Sequence, residues 1–225
     1  MFDDLSWYCK RTGILAKILD AEINDSVPPG DHRYGTRIYS RFLLWKIERF
    51  LRLSMARPFE PFLYLDADIT LLRNVEFGLE QARRDNPGYS LIIQSNKEDY
   101  SIPTMEEEQY CAGVIYQLRP ERSFWTAVYE WLESNIDSGS TIETGRRIHG
   151  GGFVEDEGAI HLVLKSFGRH LGVLPPTLFR VGRQPWDGEP VLMHRNWMIG
   201  NAEKEKNFRE HGCWFANDEI LKELL

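Results

Sequence analysis

Between Tyr34 and Met55 the apolar residues Ile38, Phe42, Leu43, Ile47, Phe50 and Leu51 recur at helical spacing, with Arg37, Arg41, Glu48 and Arg52 set between them. That period predicts one long amphipathic helix with a charged outer face. Pro58 and Pro61 stop it, because proline lacks the amide hydrogen and clashes with the preceding turn. The pattern then changes to a continuous apolar run, Phe62-Leu63-Tyr64-Leu65, closed by Asp66 and Asp68. Such a run predicts a buried parallel strand whose carboxyl end opens into a site.

Further along, the same criteria predict a polar helix near Glu76 to Arg84, an apolar run at Tyr89 to Ile93, an acidic loop through Glu106-Glu107-Glu108 and a strand at Val114-Ile115-Tyr116. Pro120 suits the first turn of a helix through Phe124, Val128, Trp131 and Leu132. Ser138 to Gly152 is rich in Gly, Ser, Thr and Arg and predicts a mobile loop. A helix from about Asp156 to Phe167, strands at Leu171 to Leu174 and Val191 to Met193, and a charged helix from about Ala202 to His211 follow. Before all of these, a helix containing Trp7 and Tyr8 precedes a short strand at Ile14 to Leu19, ahead of the Pro28-Pro29-Gly30 turn.

Strands alternating with helices predict an α/β domain, and 225 residues suit one core. The formal charge of -7 argues against a nucleic-acid surface, which needs clustered Lys and Arg. Cys9, Cys111 and Cys213 form no CxxC pair, so neither a zinc site nor a disulfide framework is indicated. No stretch approaches the roughly 20 apolar residues of a membrane span, and Met1-Phe2-Asp3-Asp4-Leu5 is acidic where a signal peptide is basic.

Two carboxylates one residue apart at a strand end repel unless a cation or proton lies between them. A divalent Mn²⁺ or Mg²⁺, which takes oxygen ligands and keeps positions for phosphate oxygens, resolves the conflict. The alternative is that one Asp caps a turn and the other is solvated. A rival enzymatic reading exists, because Asp66-Ala67-Asp68-Ile69-Thr70 also fits the motif of haloacid-dehalogenase-type phosphatases, in which the first Asp is a nucleophile. Those enzymes need a later acidic pair after another apolar strand, whereas Val191 to Met193 is followed by His194, Asn196, Trp197 and Gly200.

Four blocks in order carry a resemblance: Phe62 to Ile69 around the Asp-Ala-Asp; Cys111-Ala112-Gly113-Val114-Ile115-Tyr116; Asp156-Glu157-Gly158-Ala159; and His194-Arg195-Asn196-Trp197-Met198-Ile199-Gly200 through Trp214. They resemble the nucleotide-diphospho-sugar transferase family of GT-A-fold glycosyltransferases, whose members include plant and algal xylosyl- and arabinosyltransferases. The resemblance implies a Rossmann-like GT-A domain over 1-225 with a mixed, mostly parallel central sheet, truncated at the N-terminus so that it lacks the family's first strand. It implies transfer of a sugar from a UDP-sugar to a glycan or glycoprotein hydroxyl with retention, with Mn²⁺ or Mg²⁺ held by Asp66, Asp68 and a third ligand, His194. Family members act in the Golgi lumen behind an N-terminal anchor, so that location is expected if an anchor lies upstream. Where the family has Asn and Asp-Gln, this chain has Cys111 and Asp156-Glu157. These departures keep open a catalytically inactive relative that binds a sugar or a partner.

On that reading Asp156 and Glu157 are the catalytic candidates, near donor sugar and acceptor. For Asp156 an N-cap role on the following helix is the competing explanation. Donor-binding candidates are Arg37, Arg41, Gln94, Cys111, Gly113, Asn196, Gly200 and Lys204, with Lys46 a further cation on the long helix. The three cations do not share one helical face, so not all point inward. Gly200 and Lys204 would meet the diphosphate at a helix start, although Glu203 and Glu205 alternate with the lysines as on a solvated face. His194 would instead be structural if no metal binds, and Trp186 would stack on an acceptor sugar or serve as a packing lid.

Overall fold

The computed structural model describes residues 36–56, 60–66, 68–95, 110–136, 141–143, 146–148, 154–168, 170–181, 188–196 and 201–210. The predicted elements around Trp7 and Ile14 to Leu19, the acidic loop at Glu106 to Glu108, Trp186, Trp197, Gly200 and the segment after Glu210 lie outside them, as does the side chain of Lys204.

Helix α1 (Arg37–Ala56) buries Ser40, Leu43, Lys46, Ile47, Phe50 and Ser54 along one stripe. The polar members of that stripe have partners, as buried polar groups require. Ser40 Oγ accepts from Val154 N–H at 3.0 Å. Ser54 Oγ accepts from Gln117 Nε2 at 2.8 Å, and Gln117 Oε1 accepts from Trp125 Nε1 at 2.7 Å. Phe50 packs on Trp125 with ring centroids 5.0 Å apart. A fully buried side chain of this kind contributes about 1.5–3 kcal/mol.

The main sheet has the order β1 (Phe62–Leu65), β4 (Tyr110–Gln117), β3 (Leu91–Ser95), β7 (Gly172–Val173). Strands β3 and β4 are buried throughout, which explains why their sequences read as apolar runs rather than alternations. Successive side chains still point to opposite faces. Ile93 and Ile115 meet α1, α3 (Arg122–Ile136) and α4 (Asp156–Phe167), whereas Ile92 and Val114 join Val75, Ala82, Phe179 and Leu192 in a second core. That second core lies under α2 (Val75–Asp85) and a second sheet in the order β2 (Ile69–Leu71), β9 (Leu192–His194), β8 (Phe179–Val181). A hairpin, β5 (Thr141–Glu143) and β6 (Arg146–Ile148), and helix α5 (Asn201–Glu210) complete the described elements.

The architecture is mixed α/β, as expected. Several expectations need correction. The sheets are mixed, but only β3–β7 and β8–β9 pair in parallel; β1–β4, β3–β4 and β2–β9 are antiparallel among the described strands. The expected buried parallel strand at Phe62 to Leu65 is instead partly buried at every position and antiparallel. Its apolar run reflects packing of Phe62 and Tyr64 on one core and Leu63 and Leu65 on the other, and says nothing of direction. The stretch predicted as a mobile loop holds the β5–β6 hairpin, and β2 and β8 lie where no strand is expected. Pro120 precedes α3, whose first ladder bond runs from Trp125 N–H to Glu121 O, and so it sits outside the first turn.

Candidate functional site

Two strand pairings bring the Asp-Ala-Asp segment to His194. The β1–β4 ladder continues one residue beyond β1, with Asp66 N–H donating to Gly113 O at 2.8 Å. Strand β2 runs against β9 with Ile69 opposite His194, so Asp68, one residue before Ile69, falls beside the imidazole. His194 Nε2 lies 3.2 Å from Asp68 Oδ1. Ligand-capable atoms of Asp66, Asp68 and His194 all lie within 4.8 Å of one another. Two carboxylates and an imidazole nitrogen suit a hard or borderline divalent ion such as Mg²⁺ or Mn²⁺. Their spacing allows all three to reach one centre, so the residues present fit such an ion.

Asp66 continues the face of Phe62 and Tyr64, toward α1. Tyr64 Oη donates to Asp66 Oδ1 at 2.5 Å, and Lys46 Nζ lies 3.1 Å from the same oxygen. The ammonium also lies 3.0 Å from Asp156 Oδ2 and 5.0 Å from the centre of the Tyr64 ring. Lys46 is buried, with a side chain only 4% exposed. Burial alone would weaken its hold on the proton; Asp156 first and Asp66 second more than reverse this, and its pKa stands well above the ordinary value. Burial and the neighbouring Asp66 likewise raise the Tyr64 phenol. Lys46 therefore ties the Asp66 end of this carboxylate–imidazole cluster to Asp156. Arg37, nine residues earlier, lies on the opposite face at about 100° per residue and is exposed, while Arg41 is partly buried. Of the three candidate cations on α1 it is Lys46 that the fold delivers to Asp66.

Asp156 opens α4, but the N-cap is Glu155, whose side chain makes no capping bond. The N-cap alternative for Asp156 is corrected accordingly, although its Oδ1 does accept from the Glu157 N–H at 3.0 Å. Glu157 Oε1 accepts from Ala112 N–H at 3.1 Å on β4. Burial, then the charges of Asp156 and Glu155, push the Glu157 carboxyl up to about 8 against the bonds from Ala112 and Cys111. Burial and the Glu157 charge also raise the Cys111 thiol.

Four donor-binding candidates stand behind His194. The register shift between Ile93 and Gln94 sets Cys111 opposite Gln94, and Cys111 Sγ lies 3.3 Å from His194 Nδ1. Asn196 Nδ2 donates to the same sulfur at 3.6 Å. Gln94 is fully buried, with Oε1 2.8 Å from His194 Nδ1. Gly113 lies directly under the ring. Sequence reasoning placed Gln94 at the donor sugar, and the fold puts it against the imidazole. It missed Tyr64, whose signal was a tyrosine two residues before Asp66 on the same strand face.

The family model for nucleotide-diphospho-sugar transferase matches residues 6–208. Among curated proteins the chain is similar to UDP-D-xylose:L-fucose alpha-1,3-D-xylosyltransferase 1 of Arabidopsis thaliana, with 25% identity over 179 residues, covering 72% of this chain and 47% of that protein. The chain thus spans about half the length of that relative. Among solved structures it is similar to the apo form of mouse Xyloside xylosyltransferase 1, with a TM-score of 0.45 and 13% identity over 71% of this chain and 64% of that one. Because the family model accounts for most of its length, the chain belongs to the nucleotide-diphospho-sugar transferase family.

Proposed function

We propose that this chain is the catalytic part of a metal-dependent glycosyltransferase that moves a sugar from a UDP-sugar to a hydroxyl of a glycan or glycoprotein, with retention. The observation that carries the reading is the convergence of Asp66, Asp68 and His194 within 4.8 Å in a chain of this family. Asp66, Asp68 and His194 would hold Mn²⁺ or Mg²⁺, which when bound supplies positive charge against the charge growing on the departing diphosphate. Lys46 holds Asp66 and Asp156 together, so the carboxylate assigned to the donor sugar or acceptor keeps a set position relative to the metal group. Glu157, with a pKa near 8, is mostly protonated at neutral pH and offers a substrate hydroxyl an acid rather than a carboxylate. Retention and the uridine preference rest on the family alone. So do a single catalytic domain over 1-225 and a Golgi setting; among the described residues no helix is long and apolar enough to cross a membrane.

The phosphatase alternative is not favoured: the match is to a transferase family, and Thr70, which completed the phosphatase motif, is buried in β2 opposite Met193. The test is UDP release with Mn²⁺ across a panel of UDP-sugars, beginning with UDP-xylose because the Arabidopsis relative is named for it. Activity should depend on the metal, return after chelation when Mn²⁺ is restored, and fall at least about 100-fold in Asp68→Asn, the scale of losing one electrostatic contact to the transition state. Wild-type protein that neither binds nor turns over any UDP-sugar with Mn²⁺ present removes the proposal.

A further inference from the structure

Gln94 is an uncharged amide sealed in the interior, and its hydrogen bonds leave no choice about which way it points. Its Nε2 end lies 3.0 Å from both Phe179 O and Arg180 O. Carbonyl oxygens only accept, so that end is the NH₂ group and the other end is the oxygen. The oxygen faces His194 Nδ1 at 2.8 Å. An amide oxygen also only accepts, so Nδ1 must carry a hydrogen. In the neutral ring, Nε2 is then a bare lone pair. That lone pair faces Asp68 Oδ1 at 3.2 Å, an opposition of two acceptors that a cation between them relieves.

We propose that Gln94 is a positioning residue for the metal centre: it selects the Nδ1–H tautomer of His194 and so directs the Nε2 lone pair at the ion. The inference rests on the metal reading given above and adds a role to a residue outside the ligand set. Three features act together. The backbone carbonyls of β8 orient the amide, the amide orients the hydrogen on the imidazole, and Gly113 gives the ring its floor. The Cys111 sulfur, 3.3 Å from Nδ1, is the longer and softer contact, which leaves the amide oxygen as the dominant acceptor. Outer partners of this kind fix ring orientation and are worth about 10–100-fold in metal affinity.

The tautomer can be read without any catalysis. In ¹⁵N-histidine-labelled, metal-free protein, under conditions where the ring holds one proton, two-bond ¹H–¹⁵N correlations should show His194 as the Nδ1–H form, which is the less common one in free histidine. An Nε2–H signal overturns the proposal. In Gln94→Met, which keeps the volume and loses both amide functions, the preference should weaken and Mn²⁺ affinity by electron paramagnetic resonance should fall about 10–100-fold. A folded Gln94→Met protein with wild-type Mn²⁺ affinity also overturns it. Should that variant fail to fold, the wild-type tautomer still decides the matter. Absence of Mn²⁺ binding to wild type, with Nδ1–H observed, sinks the metal reading instead and confines Gln94 to orienting the ring.

Discussion

The imidazole of His194 occupies the space that a side chain on Gly113 would need: a Cβ built there falls 2.0 Å from Cε1 and 2.7 Å from Nε2 of His194. The glycine is required for close approach, with no demand on its backbone angles, since its φ is not among the positive ones. Gly113→Ala must therefore expel the ring from over β4. Mn²⁺ affinity should drop at least about tenfold, in line with loss of a ligand's support. Gly78→Ala, which crowds the Phe179 ring at 2.9 Å in the second core, should lower stability while leaving Mn²⁺ affinity close to wild type. Calorimetric titration and thermal unfolding of the two variants separate these outcomes, and equal metal affinity in both would refute the assignment.

Lys46 between Asp66 and Asp156 is a buried cation with two carboxylate partners. Removing one partner of such a group leaves uncompensated charge and costs about 3–5 kcal/mol. Lys46→Met should show that loss in urea unfolding. Adding Asp156→Asn should restore part of it, because the less exposed of the two orphaned carboxylates is then gone. Strictly additive losses in the double-mutant cycle would mean that the pair does not interact.

Glu157 sets a pH dependence whose sign follows from its raised pKa. Between the ordinary value of 4.5 and about 8 the native state keeps a proton that the unfolded state has released. Stability therefore declines as pH rises through that window and levels off above it. Partial exposure of the side chain reduces the effect to about 2–4 kcal/mol at pH 8. Glu157→Gln keeps an acceptor for the Ala112 amide and should flatten the decline, unfolding at a higher temperature than wild type at pH 8. Parallel melting curves for the two proteins from pH 5 to 8.5 would contradict this.

Cys111 is fully buried, and burial with the Glu157 charge raises its thiol well above the usual range. Thiolate is the reactive form. Iodoacetamide at neutral pH should label Cys111 at least about 100-fold more slowly in the native protein than after unfolding. Peptide mass spectrometry measures that ratio, and rapid native labelling would show that the Cys111–Glu157 contact opens to solvent.

Much of the local structure was legible in the chain. The α1 period from Tyr34 to Met55, the run at Phe62 to Leu65 and the helix from Asp156 to Phe167 each report which face of an element is apolar, and the elements found follow them closely. The paired aspartates at a strand end and the late histidine were visible as residue types whose chemistry is hard to explain without a cation. Strand direction was not legible, because a residue run buried on both faces looks alike in parallel and antiparallel sheets.

By itself, then, the sequence determined the apolar faces, the strand ending in Asp66 and Asp68, and the order of the blocks around them. Only the tertiary structure decided that Lys46 rather than Arg37 reaches Asp66, that Gly113 carries the His194 ring and that Gln94 stands behind it. It also decided that the two departures from the family pattern, Cys111 and Glu157, touch. These relations join positions 20 to 100 residues apart, through strand register and one irregularity between Ile93 and Gln94. Periodicity records the environment of each residue but not the identity of its distant partner, and a shift of one residue in register would change those partners while leaving the local pattern the same.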